Sequence, residues 1–316
     1  MLIGFEAIKS TILESYKNNK LHHATLFYGK KGIGKATFVK ALALEILASQ
    51  SYDKISGKIS GTISGTHHPD LLLIEKQEGK RDIVVDQIRK ISEFINQTSA
   101  ISKDKFIVID AADDLNRAAS NALLKILEEP HQNNFLILIS HNPSKLLPTI
   151  KSRCQLIKIN DLTSEDFTKI LSQNILKFSP QETKILSEMC DNSPARAIDI
   201  GRDLIEFYES FLNSIKTKKL SDEILAQIAD KNFNFEIFCE VITFFFHRLS
   251  LYKTGQSEYF IFDEKEVFAK LSETMSTEKI FDLSSAAAAE MAKVNSLNLD
   301  KKLMLVNVFN RIECRI

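Results

Sequence analysis

A glycine-rich stretch near the start of the chain has the spacing of a phosphate-binding loop. Residues 29–37 read GKKGIGKAT, so four residues separate Gly29 from the Gly34–Lys35 pair. Glycines let successive backbone N–H groups turn toward an anion at the start of a helix, and the lysine reaches the outer phosphates. An apolar run precedes the motif and a helical pattern follows it. The stretch predicts a nucleotide-binding site with these candidate residues: Gly29, Gly32, Gly34, Lys35, Ala36 and Thr37.

The residues that would hold magnesium and activate water are incomplete. In such loops the hydroxyl group after the lysine binds the metal, but Ala36 has none. Thr37 is one position further on, and a helix turns by about 100° per residue, so its hydroxyl points elsewhere. Asp110 ends an apolar run, where a strand-end carboxylate could support magnesium through water. The neighbouring acid that would orient an attacking water is replaced by Ala111, so we expect slow or absent hydrolysis.

The first half of the chain alternates apolar runs with helical patterns. Such alternation predicts βα units around a parallel sheet over residues 1–160. Asp113 and Asp114 are expected to begin the helix that follows one strand, because acids interact favourably with the positive end of a helix dipole. The predicted strands are 24–29, 70–75, 105–110 and 135–140, and the clearest helix lies within NRAASNALLKILEEP, residues 116–130.

The second half of the chain has helical patterns throughout. Thr163, with Asp166 three residues later, is expected to cap a helix, and Gly201 is expected to end another. A helical stripe that we interpret as core packing contains Phe238, Val241, Ile242, Phe245 and Leu249. These patterns predict an α/β domain over 1–160, a small helical domain over 161–204 and a helical C-terminal domain over 205–316.

Composition narrows the class of protein. Lys plus Arg and Asp plus Glu both number 41, so the whole chain lacks the basic excess typical of nucleic-acid binders. The cysteines are scattered, which is typical of reduced core residues in the cytoplasm. The most apolar run, 241–246, is far too short to span a bilayer, so no membrane association is expected. Residues 55–65 repeat the triplet Ile-Ser-Gly and are expected to form a flexible surface insertion.

Four segments in order resemble the AAA+ clamp-loader subunits of bacterial DNA polymerase III. They are GKKGIGKAT, FIVIDAADDLNRAASNALLKILEEP, NPSKLLPTIKSRC and NSPARAI. The resemblance covers essentially the whole chain. It implies an α/β AAA+ P-loop module with a parallel sheet, followed by a small helical lid and an all-helical C-terminal collar domain. It also implies a hetero-pentameric ring with delta and the gamma or tau motor subunits, which places the sliding clamp on primed DNA.

The resemblance also implies roles for individual residues. The arginine of the SRC motif, Arg153, would act in trans as an arginine finger on ATP bound by a neighbouring subunit. The lid arginine that senses the nucleotide corresponds to Arg196. The strand-end sensor is one of three residues between which the sequence does not choose: Ser140, His141 and Asn142.

Ala111 favours one branch of this family. Delta-prime subunits, which are non-motor members, carry alanine after the strand-end aspartate, whereas gamma and tau carry glutamate. The resemblance therefore implies a stator within the DNA polymerase III holoenzyme, a DNA-directed DNA polymerase, that binds ATP or ADP without hydrolysing it. Two alternatives remain: an active ATP-hydrolysing motor subunit of gamma or tau type, and a P-loop enzyme acting on a small phosphorylated substrate.

One feature of the family is missing. These subunits carry a four-cysteine zinc module after the first helix of the P-loop, but the first cysteine here is Cys154. His67 and His68 are adjacent and lack further ligands nearby in the sequence, so four zinc ligands cannot be assembled locally. We expect neither structural zinc nor another metal site.

Overall fold

The computed structural model describes residues 3–50, 68–229, 234–297 and 300–313. The Ile-Ser-Gly repeat at 55–65 and His67 lie outside these residues. The chain divides into two compact units: the first contains residues 1–170 and 193–195, and the second contains residues 171–192 and 196–316. None of the helices in the described ranges is long and apolar enough to cross a membrane.

The first unit is an alternating α/β structure. Two 3₁₀ turns, Ala112–Asp114 and Pro143–Lys145, follow the third and fourth strands. Its elements in chain order are α1 (Glu6–Lys17), β1 (Ala24–Tyr28), α2 (Lys35–Gln50), β2 (Leu71–Glu75), α3 (Val85–Asn96), β3 (Lys105–Asp110), α4 (Arg117–Glu128), β4 (Asn134–Ser140), α5 (Pro148–Lys151), β5 (Gln155–Lys158) and most of α6 (Ser164–Ser172).

The five strands form one parallel sheet in the order β2-β3-β4-β1-β5. The four predicted strands and the parallel sheet are confirmed, and β5 adds an edge strand. Because β4 lies between β1 and β3, the carboxyl ends of all three meet at one edge of the sheet. Tyr28 is paired with Ser140, and Asp110 with Ile139. The sheet thus brings the phosphate loop, Asp110 and the end of β4 together.

Side chains alternate between the two faces of the sheet, as strand geometry requires. On one face, Phe27, Val108 and Ile139 pack with residues of α1 and α2. On the other face, Leu26 and Ile109 pack with residues of α3, α4 and α5. Both faces are therefore covered, which explains why the strands read as nearly continuous apolar runs.

The regular elements of the second unit, among its described residues, are all helices. Pairs of phenylalanines from different helices pack against each other in its core, such as Phe211 with Phe245 at a centroid distance of 5.3 Å. The predicted stripe of α10 is buried at every position, which confirms its interpretation as core. The helices are α7 (Pro180–Met189), α8 (Pro194–Thr217), α9 (Asp222–Ala229), α10 (Phe235–Lys253), α11 (Glu264–Thr274), α12 (Thr277–Leu297) and α13 (Lys301–Glu313).

Two local predictions about helix ends have different outcomes. Thr163 caps α6 as predicted, since its hydroxyl accepts the backbone N–H of Asp166 at 3.1 Å. The prediction that Gly201 ends a helix is wrong, because α8 continues through it. A Cβ at this position would lie 3.1 Å from Cδ1 of Leu186. Gly201 therefore permits close packing of α8 against α7. In the sequence, a glycine needed for packing cannot be distinguished from a glycine that ends a helix. The division at 160 and 204 stays a prediction.

Candidate functional site

The phosphate loop joins β1 to the first residue of α2. Gly32 and Gly34 have φ angles of +83° and +94°, in the left-handed region where side chains other than hydrogen are disfavoured. Gly29 is required for a different reason, since a Cβ there would lie 2.5 Å from the carbonyl oxygen of Ile159. Each of the three glycines thus meets a requirement of this turn: Gly32 and Gly34 allow a positive φ angle, and Gly29 allows a close backbone contact.

Lys35 is buried under this loop, with 3% of its surface exposed. Its ammonium group donates to the carbonyl oxygens of Gly29 at 2.8 Å and Lys30 at 2.6 Å. Burial lowers the pKa of Lys35 to about 8, although the charges of Asp110, Asp113 and Asp161 oppose this shift. Among the described residues, Lys35 forms no ion pair within 4.0 Å. Within the described structure, the hydrogen-bond partners of this buried cation are therefore two neutral carbonyl groups.

The tip of the loop is held by residues 193–195, which belong to the same unit. The Ser193 hydroxyl donates to the carbonyl oxygen of Lys31 at 3.3 Å. The backbone N–H of Ala195 donates to the carbonyl oxygen of Gly32 at 3.1 Å. A Cβ on Gly32 would lie only 2.1 Å from Ser193 Oγ. Close contact with this segment is thus a second reason for glycine at position 32.

The alanines at the two positions where the sequence predicts missing catalytic groups, Ala36 and Ala111, are packed into the protein. Ala36 contacts the apolar cluster beneath α2, and Ala111 is 5% exposed at the end of β3. Thr37 is exposed on the first turn of α2. Burial raises the pKa of the half-buried Asp110, against the opposing charge of Lys40. Of the expected hydrolytic groups, the structure places Asp110 at the site and puts methyl groups where a hydroxyl and a carboxylate would act.

Asp113 and Asp114 do not begin the long helix α4, so that prediction is wrong. They lie in the 3₁₀ turn Ala112–Asp114, and α4 begins at Arg117. Asn116 is the N-cap residue of α4, and its side-chain oxygen accepts the N–H of Ala119 at 2.9 Å. Asn is among the best N-cap residues, because its short side chain reaches the free N–H groups of the first turn. The two acids are therefore available for other contacts.

The Asp113 carboxylate binds the end of β4. It accepts the Ser140 hydroxyl at 2.7 Å, the backbone N–H of His141, and the backbone N–H of Asn142 at 3.1 Å. The Ser140 carbonyl oxygen in turn accepts the N–H of Gly29 at 3.3 Å. Hydrogen bonds thus connect the turn after β3, the turn after β4 and the phosphate loop.

The three candidate sensor residues differ in what their side chains contact. Ser140 is fully buried and donates its hydroxyl to Asp113. The side-chain oxygen of Asn142 accepts the N–H of Ser144 at 3.1 Å. The buried Nδ1 of His141 has no hydrogen-bond partner among the described residues. Burial is the main cause that lowers the pKa of His141, and the charge of Lys35 is the next.

The two candidate arginines form ion pairs within their own units. Arg153 follows α5, pairs with Glu128 at 2.9 Å and keeps 36% of its side chain exposed. It also donates to the carbonyl oxygen of Thr149 at 3.1 Å. Arg196 pairs with two carboxylates of α10, Glu236 at 2.9 Å and Glu240 at 2.5 Å. Both assigned roles stay predictions, and both require the guanidinium to exchange partners.

Sequence reasoning missed two residues of the site. Ser193 lies within the quoted NSPARAI motif, yet nothing in the sequence indicates that it reaches residue 31. Asp113 gives a weak signal, as an acid soon after a strand-end aspartate and before a capping asparagine. Both residues act on segments distant in the chain, so local patterns do not reveal their partners.

His68 is buried and accepts the N–H of Asp70 through Nδ1 at 3.1 Å. Across the described ranges, no three His, Cys, Asp or Glu side chains are grouped so that they could hold a metal ion. Since residues 51–67 are outside those ranges, the expected absence of zinc stays a prediction.

Comparisons with known proteins identify the family. The model of the family described as DNA polymerase III, delta subunit, matches residues 5–163, just over half of the chain. The chain belongs to this family. It is 40% identical over 137 residues to DNA polymerase III subunit delta-prime of Pseudomonas aeruginosa, covering 42% of this chain and 41% of that protein. It is 32% identical to subunit delta-prime of Bacillus subtilis, over 66% of this chain and 62% of that protein.

A related subunit of another kind also matches. DNA polymerase III subunit tau of Bacillus subtilis is 25% identical over 89% of this chain and 55% of its own length. The alignments with the two delta-prime relatives span 41% and 62% of those proteins. The predicted resemblance to the delta-prime members of the clamp-loader family is confirmed by the family match and these relatives.

Proposed function

We propose that this chain is a non-motor delta-prime subunit of the DNA polymerase III clamp loader. In this role it binds ATP or ADP in the phosphate loop with little or no hydrolysis. The observation that carries the proposal is the pair of buried groups at the site. Lys35 supplies for phosphate a buried cation that forms no ion pair among the described residues, whereas Ala111 places a buried methyl group where a motor subunit needs a carboxylate.

The proposal includes the partners that the family implies. The chain would join delta and the gamma or tau motor subunits in a hetero-pentameric ring in the cytoplasm. That ring would act on the sliding clamp and primed DNA. Among the sensor candidates we assign His141 to the phosphates, because the other two side chains are engaged elsewhere. In its neutral form one ring nitrogen donates a hydrogen bond and the other accepts one.

Nucleotide binding and turnover by the isolated chain test this assignment. A fluorescent ADP analogue should bind the full chain, and steady-state assays should show turnover no faster than a Lys35→Ala variant. Turnover well above that variant would contradict the non-motor proposal. Restoring the two missing groups in an Ala36→Thr, Ala111→Glu double variant should raise turnover. An Ala36→Val, Ala111→Gln double variant, which has side chains of similar size but neither the hydroxyl nor the charge, should not.

Arg153 is proposed to act on ATP bound by the neighbouring motor subunit. Its partial exposure and its single surface ion pair with Glu128 would allow it to leave that partner on assembly. An arginine at this point stabilises the charge that develops on the transferred phosphate.

The assembled loader tests the role of Arg153. DNA-stimulated ATP turnover should fall tenfold or more at the adjoining site in the Arg153→Ala loader, in line with the large effects of arginine fingers. Lys151→Ala, a neighbouring cation, should have little effect. Equal loss in both variants, or retention in both, would contradict the proposal, and thermal unfolding of each free subunit controls for folding.

A motor subunit of gamma or tau type is the second candidate. The long alignment with a tau subunit favours it, and the absence of a carboxylate at position 111 opposes it. The third hypothesis, a P-loop enzyme for a small phosphorylated substrate, gains no support from the contacts at the site. The turnover assay of the isolated chain separates the first two.

A further inference from the structure

Asp113 has no role in the proposed chemistry, yet its carboxylate accepts three hydrogen bonds at the carboxyl edge of the sheet. Its donors come from three consecutive residues, Ser140 at the end of β4 and His141 and Asn142 in the turn that follows. An ionised carboxylate offers about four acceptor positions, so most of them are already in use. Asp113 therefore does not substitute for the water-orienting acid that position 111 lacks.

The segment that carries Asp113 is itself fixed on its other side. The N–H of Ile83 donates to the carbonyl oxygen of Asp114 at 2.7 Å, and the N–H of Asn116 donates to that of Ile83 at 3.1 Å. Residues 83–84 lead directly into α3. These hydrogen bonds restrict the backbone of the segment 112–116. Asp113 can therefore hold the turn after β4 in place without being displaced itself.

We propose that Asp113 is a positioning residue of the nucleotide site: its carboxylate fixes the turn at the end of β4 and thereby keeps His141 beside the phosphate loop. The turn itself contacts the loop through the Gly29 N–H and the Ser140 carbonyl oxygen, 3.3 Å apart. Charge-assisted hydrogen bonds to backbone N–H groups are among the stronger ones in proteins. The effect on nucleotide rests on the proposed function, but the holding of the turn does not.

Two substitutions of Asp113 distinguish the effect of its hydrogen bonds on the position of the turn from the effect of its negative charge. In Asp113→Asn the side-chain oxygen can accept the two N–H groups, and the amide can donate to the Ser140 hydroxyl, so the turn is retained without the negative charge. In Asp113→Ala all three bonds are lost. Asp114→Ala is the matched control, because Asp114 pairs with Lys76 at 3.3 Å and accepts no hydrogen bond from the turn in the described structure.

The first measurement is amide hydrogen exchange in the nucleotide-free chain. Exchange at His141 and Asn142 should accelerate about tenfold or more in Asp113→Ala, in keeping with the loss of hydrogen bonds to a charged group. It should change little in Asp113→Asn and in Asp114→Ala. Unchanged exchange in Asp113→Ala would overturn the proposal. If that variant does not fold, Asp113→Glu, which displaces both oxygens by one methylene, gives the same test.

The second measurement is the pKa of His141 by NMR, with His141→Gln identifying its signal among the seven histidines. Four charged groups act on this imidazole: Lys35 and Lys31 lower its pKa, whereas Asp113 and Asp114 raise it. Asp113→Asn should lower the pKa further, because the ring stays buried and loses a favourable charge. Asp113→Ala should raise it toward about 6.5, because a released turn exposes the ring to water. A fall in both variants would overturn the proposal.

The third measurement is the affinity for fluorescent ADP, which tests whether the turn after β4 affects nucleotide binding. Affinity should fall about tenfold in Asp113→Ala and remain within about threefold in Asp113→Asn, as expected when one well-placed hydrogen bond is lost. If the unaltered chain binds no nucleotide, the proposed function fails, while exchange and the pKa of His141 still decide the role of Asp113. Equal loss of affinity in both variants would show that charge, and not position, is what Asp113 contributes, and would overturn the proposal.

Discussion

Lys35 in the phosphate loop and Arg248 in α10 are both buried cations, but their partners differ. Arg248 is 2% exposed and pairs with the fully buried Glu264 at 2.7 Å, and that carboxylate also accepts the Tyr208 hydroxyl at 2.6 Å. Burial acts to lower the pKa of Arg248, but hydrogen bonds and charge from Glu264 outweigh it and raise the pKa. For Lys35, burial prevails and lowers the pKa to about 8.

This difference separates a structural cation from one available to a ligand. Arg248 has its counter-ion within the second unit, so its charge is satisfied by the fold. Lys35 contacts two carbonyl oxygens and carries a desolvation cost that no carboxylate within hydrogen-bond reach offsets. A bound phosphate would supply the missing negative charge. The contrast predicts that Arg248 contributes to stability and Lys35 to binding.

Breaking the buried pair should give the largest effect. Arg248→Leu leaves Glu264 buried without its partner and should lower the free energy of unfolding by about 3–5 kcal/mol. Urea denaturation followed by circular dichroism measures this loss. Lys270→Met removes the exposed pair of Lys270 with Glu266, in the same unit, and should have a far smaller effect, because water screens this pair. Equal effects of the two substitutions would contradict the contrast.

Lys35→Met should weaken nucleotide binding strongly without lowering the stability of the chain. The free energy of unfolding should stay the same or rise by about 1 kcal/mol, because a desolvated charge is removed along with two hydrogen bonds. Affinity for ADP should fall about a hundredfold, equivalent to about 2.7 kcal/mol. Fluorescence titration and thermal unfolding measure the two quantities, with Lys31→Met, an exposed cation of the same loop, as the control. A destabilised Lys35→Met variant would show that the lysine is structural after all.

Substitution of a glycine in the phosphate loop should have a smaller effect on stability. Gly32→Ala should cost about 2 kcal/mol or more, since it adds a contact with Ser193 Oγ to the strain of a positive φ. Gly79→Ala is a matched control, with a φ of +72° and no atom within 4 Å of an added Cβ, and should cost about 1 kcal/mol. Chemical denaturation compares them. Ser193→Ala combined with Gly32→Ala should recover part of the difference, and no recovery would argue against the contact.

The pH dependence of binding should show the smallest effect. Phosphate binding favours the charged form of Lys35, so it should raise the pKa of Lys35 above its value of about 8 in the free chain. Between that value and the pKa of the complex, binding takes up a proton, and affinity falls as pH rises. We expect about a tenfold loss for each pH unit above 8, measured by ADP titration with proton uptake by calorimetry. Lys35→Met should abolish the dependence.

Sequence patterns predicted most of the first unit because its elements are defined by local periodicity. The apolar runs, the glycine spacing and the Thr163 cap each depend on residues close in the chain, and the structure has all of them. The predictions for Gly201 and for Asp113 with Asp114 were wrong for a common reason. Glycine and aspartate are typical of helix ends, but here their roles depend on residues of other elements, Leu186 and the 140–142 turn.

The residues alone thus specified a parallel α/β sheet, a glycine-rich turn between β1 and α2, and alanines at positions 36 and 111, because each is a property of a short segment. Three features could be seen only in the folded chain. They are the burial of Lys35 against its own loop, the hydrogen bonds of Asp113 to the turn after β4, and the pairing of Arg248 with Glu264. Desolvation and hydrogen bonding between distant segments depend on which surfaces meet, and only packing determines that.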